Sequence, residues 1–492
     1  MQDLKEKVIR GGLAKVLALA GSFTIRIGSM MALARLLEPT DFGLVGMVTA
    51  LTGVLNLFRD FGLSSATVQR MEVTEEQVST LFWINTFVGL VLGLLLMSMA
   101  PLIVAFYHQP HLLWVTIVLA TAFIFNGAGV QHTALLERQM RFTVLAAIDM
   151  ISLVCGTLIG IGMALAGLRY WALVGTAVSI PFITTISLWL VTGWIPRRPR
   201  LRIGLRSMAQ FGGAFTLINV IVYFSYNIEK VLLGRFWGAT SVGIYGRAYQ
   251  LANLPIENLN SAFGGVAFSG LSRVRDDAKR FKSYFLRGYS LVLALTIPIT
   301  IGAALFANDL IHALLGPKWT DVVDIFRLLT PTILIFALIN PLAWLTFSLG
   351  MIGRNLKVVL VLAPLMIGGY VLGLPYGPKG VAFGYSAVMT LWALPHIAWC
   401  VHGTVISFRD ILVTASRPLI SGIIAAVPAV GTQFLFGQSL SYLPRLILET
   451  TVLAGVYLLM LFYVMGQKAV YWDLLRGLKG TPSVEEKSLS PA

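Results

Sequence analysis

The sequence predicts an all-α polytopic membrane protein. About fourteen transmembrane helices are expected, as two six-helix lobes in parallel pseudo-repeat plus two C-terminal helices. Three observations point there. The 492-residue chain is 57% hydrophobic and only 12% charged, with a mean hydropathy of +0.80, whereas soluble domains carry about 25% charged residues. Its Lys and Arg residues fall in alternate loops between the apolar segments. A charged, glycine-punctuated junction, RLLEPTDFGLVG (Arg35–Gly46), recurs as RFWGATSVGIYG (Arg235–Gly246), with ungapped matches at Arg35/Arg235, Thr40/Thr240, Gly43/Gly243 and Gly46/Gly246.

A helix needs about 20 apolar residues to cross a bilayer, and on that measure the spans follow in order. Spans 1–6 are expected near 13–36, 42–61, 79–106, 111–131, 144–167 and 170–193, forming an N-lobe over residues 1–196. The opening MQDLKEKVIRGGLAK is followed by no small-residue cleavage site, so span 1 is expected to be retained. Thr40-Asp41 reads as the N-cap of span 2. Residues 197–207 form a basic cytoplasmic linker containing RRPRLRIGLR. Spans 7–12, near 208–233, 242–268, 284–315, 325–349, 356–374 and 380–402, form a C-lobe over 208–402, with Ser241 as the cap of span 8. Spans 13 and 14, near 411–436 and 443–465, lie in 403–466, and 467–492 is expected to be a disordered cytoplasmic tail. Gly and Pro punctuate the spans, as transmembrane helices tolerate. No segment shows the ten-residue alternation of a barrel strand.

Charge tests this count. With the N-terminus in the cytoplasm, the outside loops hold only Arg169, Arg235, Lys318, Lys379 and Arg445, against two dozen Lys and Arg residues inside. A missed span would scramble that alternation, so the positive-inside rule supports both termini being cytoplasmic. The net charge of +15 is then spread over successive inside loops facing an anionic leaflet. It is not gathered on one face, which argues against nucleic acid as a partner. Cys155 and Cys400 stand apart within apolar runs and read as small buried hydrophobes.

The two copies of the junction are separated by an even number of helices and therefore stand the same way up. Such parallel repeats are related by an axis along the membrane normal, with the substrate site near the midplane between them. A weaker echo follows, GLSSATVQR from Gly62 and GLSRVR from Gly270.

LARLLEPTDFGLVG (Leu33–Gly46), VQRMEVTEEQVSTLFWIN (Val68–Asn85), LSRVRDDAKRF (Leu271–Phe281) and LLGPKWTDVVDIFRLLTP (Leu314–Pro331) carry a resemblance. Across nearly the whole chain the sequence resembles the polysaccharide-transporter flippases of the multidrug/oligosaccharidyl-lipid/polysaccharide exporter superfamily, in particular the colanic-acid exporter and lipopolysaccharide-biosynthesis branch. The resemblance implies a transporter and not an enzyme, sited in the bacterial inner membrane. It would move undecaprenyl-pyrophosphate-linked oligosaccharide across the bilayer for exopolysaccharide, capsule or lipopolysaccharide synthesis, beside a polymerase and glycosyltransferases. No cofactor is implied beyond coupling to a H+ or Na+ gradient.

Ionisable groups inside a span cost roughly 2.5–3.5 kcal/mol each by insertion scales, so they face a cavity or a partner. In span 1, Ser22, Arg26 and Ser29 share a narrow stripe with Lys15 on the helical wheel. Arg26 is expected to line a cavity; the structural alternative is a pair with a carboxylate. In span 7, Thr216, Asn219, Tyr223, Tyr226, Asn227 and Lys230 share one arc, with snorkelling as the alternative for Lys230. Glu229 falls elsewhere on that wheel and reads as pairing with a neighbour. Span 8 is the least apolar: Arg247, Gln250, Asn253, Glu257, Asn258, Asn260 and Ser261 form a broad face, and Pro255 predicts a kink. Amides beside a carboxylate suit sugar hydroxyls, although Glu257 could equally be a proton or cation relay, and an interhelical network is the bland reading. Asn85, Asn126, Asp149, Arg327, Asn340, His396 and Glu449 stand alone and read as helix glue. No metal-ligand spacing or Walker motif is present.

Two rival functions remain. A polysaccharide polymerase or ligase needs a sizeable external catalytic region, which the short outside loops do not supply. A cation-coupled multidrug exporter of the same superfamily resembles a twelve-helix protein with a carboxylate in span 1. Here Arg26 stands in that helix, which favours an anionic, phosphate-bearing substrate. Spans 13 and 14, the least polar pair, are expected to accompany the polyprenyl tail.

Overall fold

The structure is a computed structural model that describes residues 21–59, 67, 74–199, 220–436 and 440–468, and among these no strand occurs. The first described helix, α1, covers residues 21–36. It is followed by α2 (Pro39–Asn56), α3 (Glu75–Tyr107), α4 (Leu112–Arg138), α5 (Phe142–Leu165) and α6 (Trp171–Thr192). Residues 220–225 are helical, Tyr226 and Asn227 form a turn, and α7 (Ile228–Arg273) begins immediately after. Then come α8 (Ala278–Leu305), α9 (Ala307–Leu314), α10 (Thr320–Ser348), α11 (Ile352–Gly373), α12 (Gly377–Val401), α13 (Phe408–Phe436) and α14 (Tyr442–Leu459), which closes on a π-turn at Met460–Val464.

Nine stretches among the described residues are long and apolar enough to cross a membrane, and one of them, Gly353–Val401, contains both α11 and α12. Residues 200–219, with most of the linker and the start of span 7, and residues 469–492 of the expected tail lie outside the described residues.

Local chemistry sets the helix starts. Pro39 at the first position of α2 has no N–H to leave unpaired, and the Glu38 N–H donates to Asp41 Oδ2 at 3.1 Å. The cap is therefore Glu38, two residues before the expected Thr40. The second copy shifts in the same direction: its helix resumes after Gly238, and Ser241 lies inside it, donating to the Trp237 carbonyl at 3.1 Å. Thr74 and Gln77 form a reciprocal capping box at the head of α3.

Two expectations need correction. The connection between spans 7 and 8 contracts to one residue, Gly238, whose φ of 79° and ψ of −178° suit glycine alone. Gly238 is also the one non-helical residue in α7, and Pro255 lies inside the helix beyond it. Span 9 is not one helix: α8 stops at Leu305, Phe306 intervenes, and α9 is a separate two-turn helix.

Packing divides the chain into two compact units. The first holds residues up to Gly246 together with Leu315–Lys318. Small residues let its helix backbones approach, as is usual within membranes. A Cβ on Gly89 of α3 would lie 2.5 Å from the Phe123 carbonyl oxygen of α4, and one on Gly127 would lie 2.7 Å from that of Asn85. At the end of this bundle Phe82, Trp189, Trp194 and His132 pack edge to face, with His132 Nδ1 2.7 Å from Thr192 Oγ1.

The second unit holds Arg247–Leu314 and the residues from Trp319 onward. Its core runs through Phe281, Tyr289, Leu293 and Ile297 of α8, Leu342 and Leu345 of α10, and Tyr457 of α14. Two tyrosines of this core reach backbone carbonyls: Tyr289 donates to Leu338 O at 3.1 Å and Tyr457 to Ala294 O at 2.9 Å. Glycines again set the crossing of α11 and α12, where Cβ atoms on Gly369 and Gly384 would meet the other helix's backbone at 2.8 and 2.2 Å.

Candidate functional site

In the first unit the turn at Tyr226–Asn227 gathers the polar residues of span 7. Asn227 donates to the Tyr223 carbonyl at 3.0 Å, and its Oδ1 accepts from Lys230 Nζ at 2.8 Å. Lys230 Nζ lies 3.9 Å from Glu229 Oε1; the lysine side chain is 21% exposed and the glutamate 0%. Neither Glu229 oxygen completes a hydrogen bond. Its compensation comes from the adjacent ammonium and from the backbone N–H groups of the first turn of α7. Tyr223 is turned toward α2, donating to the carbonyls of Thr49 and Ala50 at 3.3 Å. It fills the space that Gly53 leaves: a Cβ there would come within 1.8 Å of the phenolic oxygen.

Arg26 is exposed on α1, with Ser22 and Ser29 half-exposed beside it. Its guanidinium acts electrostatically on Asp149 of α5, so a residue read as helix glue is the acidic neighbour of this cation. Asn219 lies outside the described residues.

In the second unit the polar face of span 8 lies on the part of α7 beyond Gly246. Arg247 donates to Gln250 Oε1. Gln250, Glu257, Asn258 and Asn260 are exposed and Asn253 is half-buried. Asn258 turns one amide hydrogen back to the Leu254 carbonyl at 2.6 Å. Asn260 also edges a small, open cleft whose other polar contributors are Thr296, Asn340 and Trp344. Exposed carboxylate and amide groups in an otherwise apolar chain are costly against hydrocarbon, so this face suits a water-filled space. Among the described residues no group of three or more His, Cys, Asp or Glu side chains could hold a metal ion.

The structure thus brings Tyr223, Asn227 and Lys230 together, and Arg247 with Gln250. It leaves Arg26 and Glu257 exposed, with no hydrogen bond or ion pair to another described residue. It adds Glu229, Asp149 and Asn340, which sequence reasoning set aside.

The repeated junction also folds onto itself within the first unit. Thr40 Oγ1 and Thr240 Oγ1 are 2.9 Å apart. A Cβ on Gly43 would lie 1.7 Å from the Ala239 carbonyl oxygen, and one on Gly243 would lie 1.9 Å from that of Pro39. Pro39 and Ala239 are equivalent positions, so the contact has two-fold character. Arg235 bonds His108 Nδ1 at 3.2 Å and stands over Phe106, while Lys318 pairs with Glu38 at 2.8 Å.

Comparison with known proteins gives this arrangement a context. The chain is 26% identical over 402 residues to the lipopolysaccharide biosynthesis protein WzxC of Escherichia coli, covering 79% of this chain and 80% of that protein. It is 22% identical to the succinoglycan biosynthesis transport protein ExoT of Rhizobium meliloti, covering 97% and 96% of the two chains. Among solved structures, the lipid II flippase MurJ in an inward closed conformation matches with a TM-score of 0.75 at 14% identity, over 94% of this chain and all of that one. An inward-facing multidrug resistance MATE transporter of the MOP superfamily matches at 0.60 and 14% identity, over 80% of this chain and 96% of that one. These likenesses carry the all-helical transporter fold. The profile of the family described as "Polysaccharide biosynthesis protein" matches residues 32–324. With more than half of its length matched, the chain belongs to that family.

Proposed function

We propose that this protein is a flippase that moves undecaprenyl-pyrophosphate-linked oligosaccharide across the bacterial inner membrane by alternating access, for exopolysaccharide, capsule or lipopolysaccharide synthesis. The observation that carries the reading is the exposed polar face of α7, where Gln250, Glu257, Asn258 and Asn260 stand unburied in a membrane chain. Mixed donors and acceptors of this kind match sugar hydroxyls. Arg26, exposed on α1, supplies the cation that a pyrophosphate requires. WzxC and ExoT, named for lipopolysaccharide biosynthesis and succinoglycan biosynthesis transport, support this reading.

The loop charges support cytoplasmic termini, with the Arg35 and Arg235 junctions outside. The expected lobes, 1–196 and 208–402, are the moving parts in this proposal, and spans 13 and 14 accompany the polyprenyl tail. Polymerase and glycosyltransferases are the expected partners. Coupling to a H+ or Na+ gradient belongs to the same proposal, with Glu229 and Glu257 as the carboxylates able to serve it.

The test is flipping of a labelled undecaprenyl-pyrophosphate oligosaccharide in proteoliposomes. Arg26→Ala is expected to abolish flipping at unchanged protein level in the membrane. Full transport by that variant would reject the assignment.

A further inference from the structure

A second charged cluster lies in the second unit, away from the residues of the proposed transport site. Asp309 of α9 and Glu449 of α14 are 1% and 0% exposed. Arg445, one turn before Glu449, donates its Nε to Asp309 Oδ2 at 2.7 Å and its Nη2 to Asp309 Oδ1. This fork uses both oxygens of Asp309 and matches one guanidinium charge with one carboxylate charge. Glu449 is left over. Neither of its oxygens accepts a hydrogen bond, although Asp309, Arg445 and Gln433 are its neighbours.

Among the described residues no second Lys or Arg pairs with Asp309 or Glu449. Gln433 of α13 donates to the Leu305 carbonyl at 3.3 Å. On α9, His312 stacks on Tyr442 with ring centres 4.7 Å apart, and its Nδ1 lies 2.7 Å from the Asn308 carbonyl. Its Nε2 lies 3.4 Å from Thr320 Oγ1. Tyr442 itself carries Arg445 over its ring at 5.6 Å. Two buried carboxylates therefore share one guanidinium, and a lone buried negative charge is not stable without a counter-charge.

We propose that Asp309 and Glu449 form a binding site for one monovalent cation, a proton or an alkali metal ion, held between the two carboxyl groups beside Arg445. The site ties the short helix α9 to α14 and does not depend on the transport reading, because its ligand is a single small positive charge and not the glycolipid.

The experiment uses the purified full-length chain in lipid nanodiscs. Infrared spectra are recorded in Na+, K+ and a large organic cation, and thermal unfolding midpoints are measured in the same salts, for wild type and Glu449→Gln. If the ligand is a proton, wild type shows a protonated-carboxyl stretch that is indifferent to the salt and is lost in E449Q. If it is an alkali ion, that ion raises the wild-type midpoint and leaves the E449Q midpoint unmoved. The proposal is overturned if the stretch persists in E449Q and salt moves both midpoints equally, or if wild type shows neither the stretch nor a salt-dependent midpoint. The second of these outcomes is read on wild type alone, so a poorly folding variant does not remove the test.

Discussion

Thr40 and Thr240, equivalent positions in the two copies of the junction, place their hydroxyl oxygens 2.9 Å apart. Their flanking glycines meet the other copy's backbone, Gly43 at Ala239 and Gly243 at Pro39. A methyl group at either glycine has only backbone in its path, which cannot rotate away as a side chain can. Gly43→Ala and Gly243→Ala are each expected to lower stability by about 1–3 kcal/mol, the usual cost of overpacking. Thermal unfolding in detergent measures it. An unchanged midpoint in both would show that the crossing is loose.

The same pair provides a conformational probe. Thr40→Cys combined with Thr240→Cys should cross-link under mild oxidant, because side-chain oxygens 2.9 Å apart leave the two sulfurs only a small adjustment from bonding distance. If the junction must part for release, as the proposed alternating access requires, the cross-linked protein should not flip substrate and reductant should restore flipping. Transport at full rate through an intact cross-link would contradict that mechanism.

Lys230 and Glu229 form a second coupled pair. Lys230→Met strands a fully buried carboxylate, and breaking a buried pair from one side costs about 3–5 kcal/mol. Replacing both residues, with Gln at 229 and Met at 230, removes the stranded charge. The double variant is expected to unfold at a higher temperature than Lys230→Met alone. A strictly additive cycle would show that the two charges do not interact.

Glu257 and Glu229 can be separated in flipping assays with and without an imposed H+ or Na+ gradient. Glu257→Gln keeps the shape and the acceptor oxygen, so substrate affinity should fall while the response to the gradient survives. Glu229→Gln should remove the response to the gradient with substrate affinity little changed. The reverse pattern would make Glu257 the relay.

Gly127→Val tests the α3–α4 crossing. The added side chain meets the Asn85 carbonyl at 2.7 Å, and a loss of about 1–3 kcal/mol should appear in thermal unfolding, with little effect from Gly162→Val on α5, where a Cβ meets nothing within 4 Å.

Much of the fold was legible because hydropathy and loop charge are one-dimensional signals. The helix starts at both junctions moved the same way from their expected caps, since Pro39 and Gly238 begin the helices ahead of Thr40 and Ser241. The break at Phe306 left no hydropathic trace, because α9 is as apolar in composition as the span it interrupts. The site was legible where a helix is regular: the polar face of α7 beyond Gly246 was readable as a wheel. Glu229, read from the wheel as pairing with a neighbour, does so: Lys230 Nζ lies 3.9 Å from its Oε1. The arc of span 7 also survives the turn at Tyr226–Asn227, since Tyr223, Asn227 and Lys230 remain linked across it. Asp309 and Arg445 are 136 positions apart, so neither local pattern nor charge spacing could join them, and Glu449 looked solitary.

The glycines of the two junctions have a consequence for how this sequence can drift. Each comes nearest to a carbonyl of the opposite copy, and neither has a side chain to trim, so enlarging one cannot be offset at its twin. The two sites are therefore fixed separately, and duplication has doubled a restriction where it might have relaxed one.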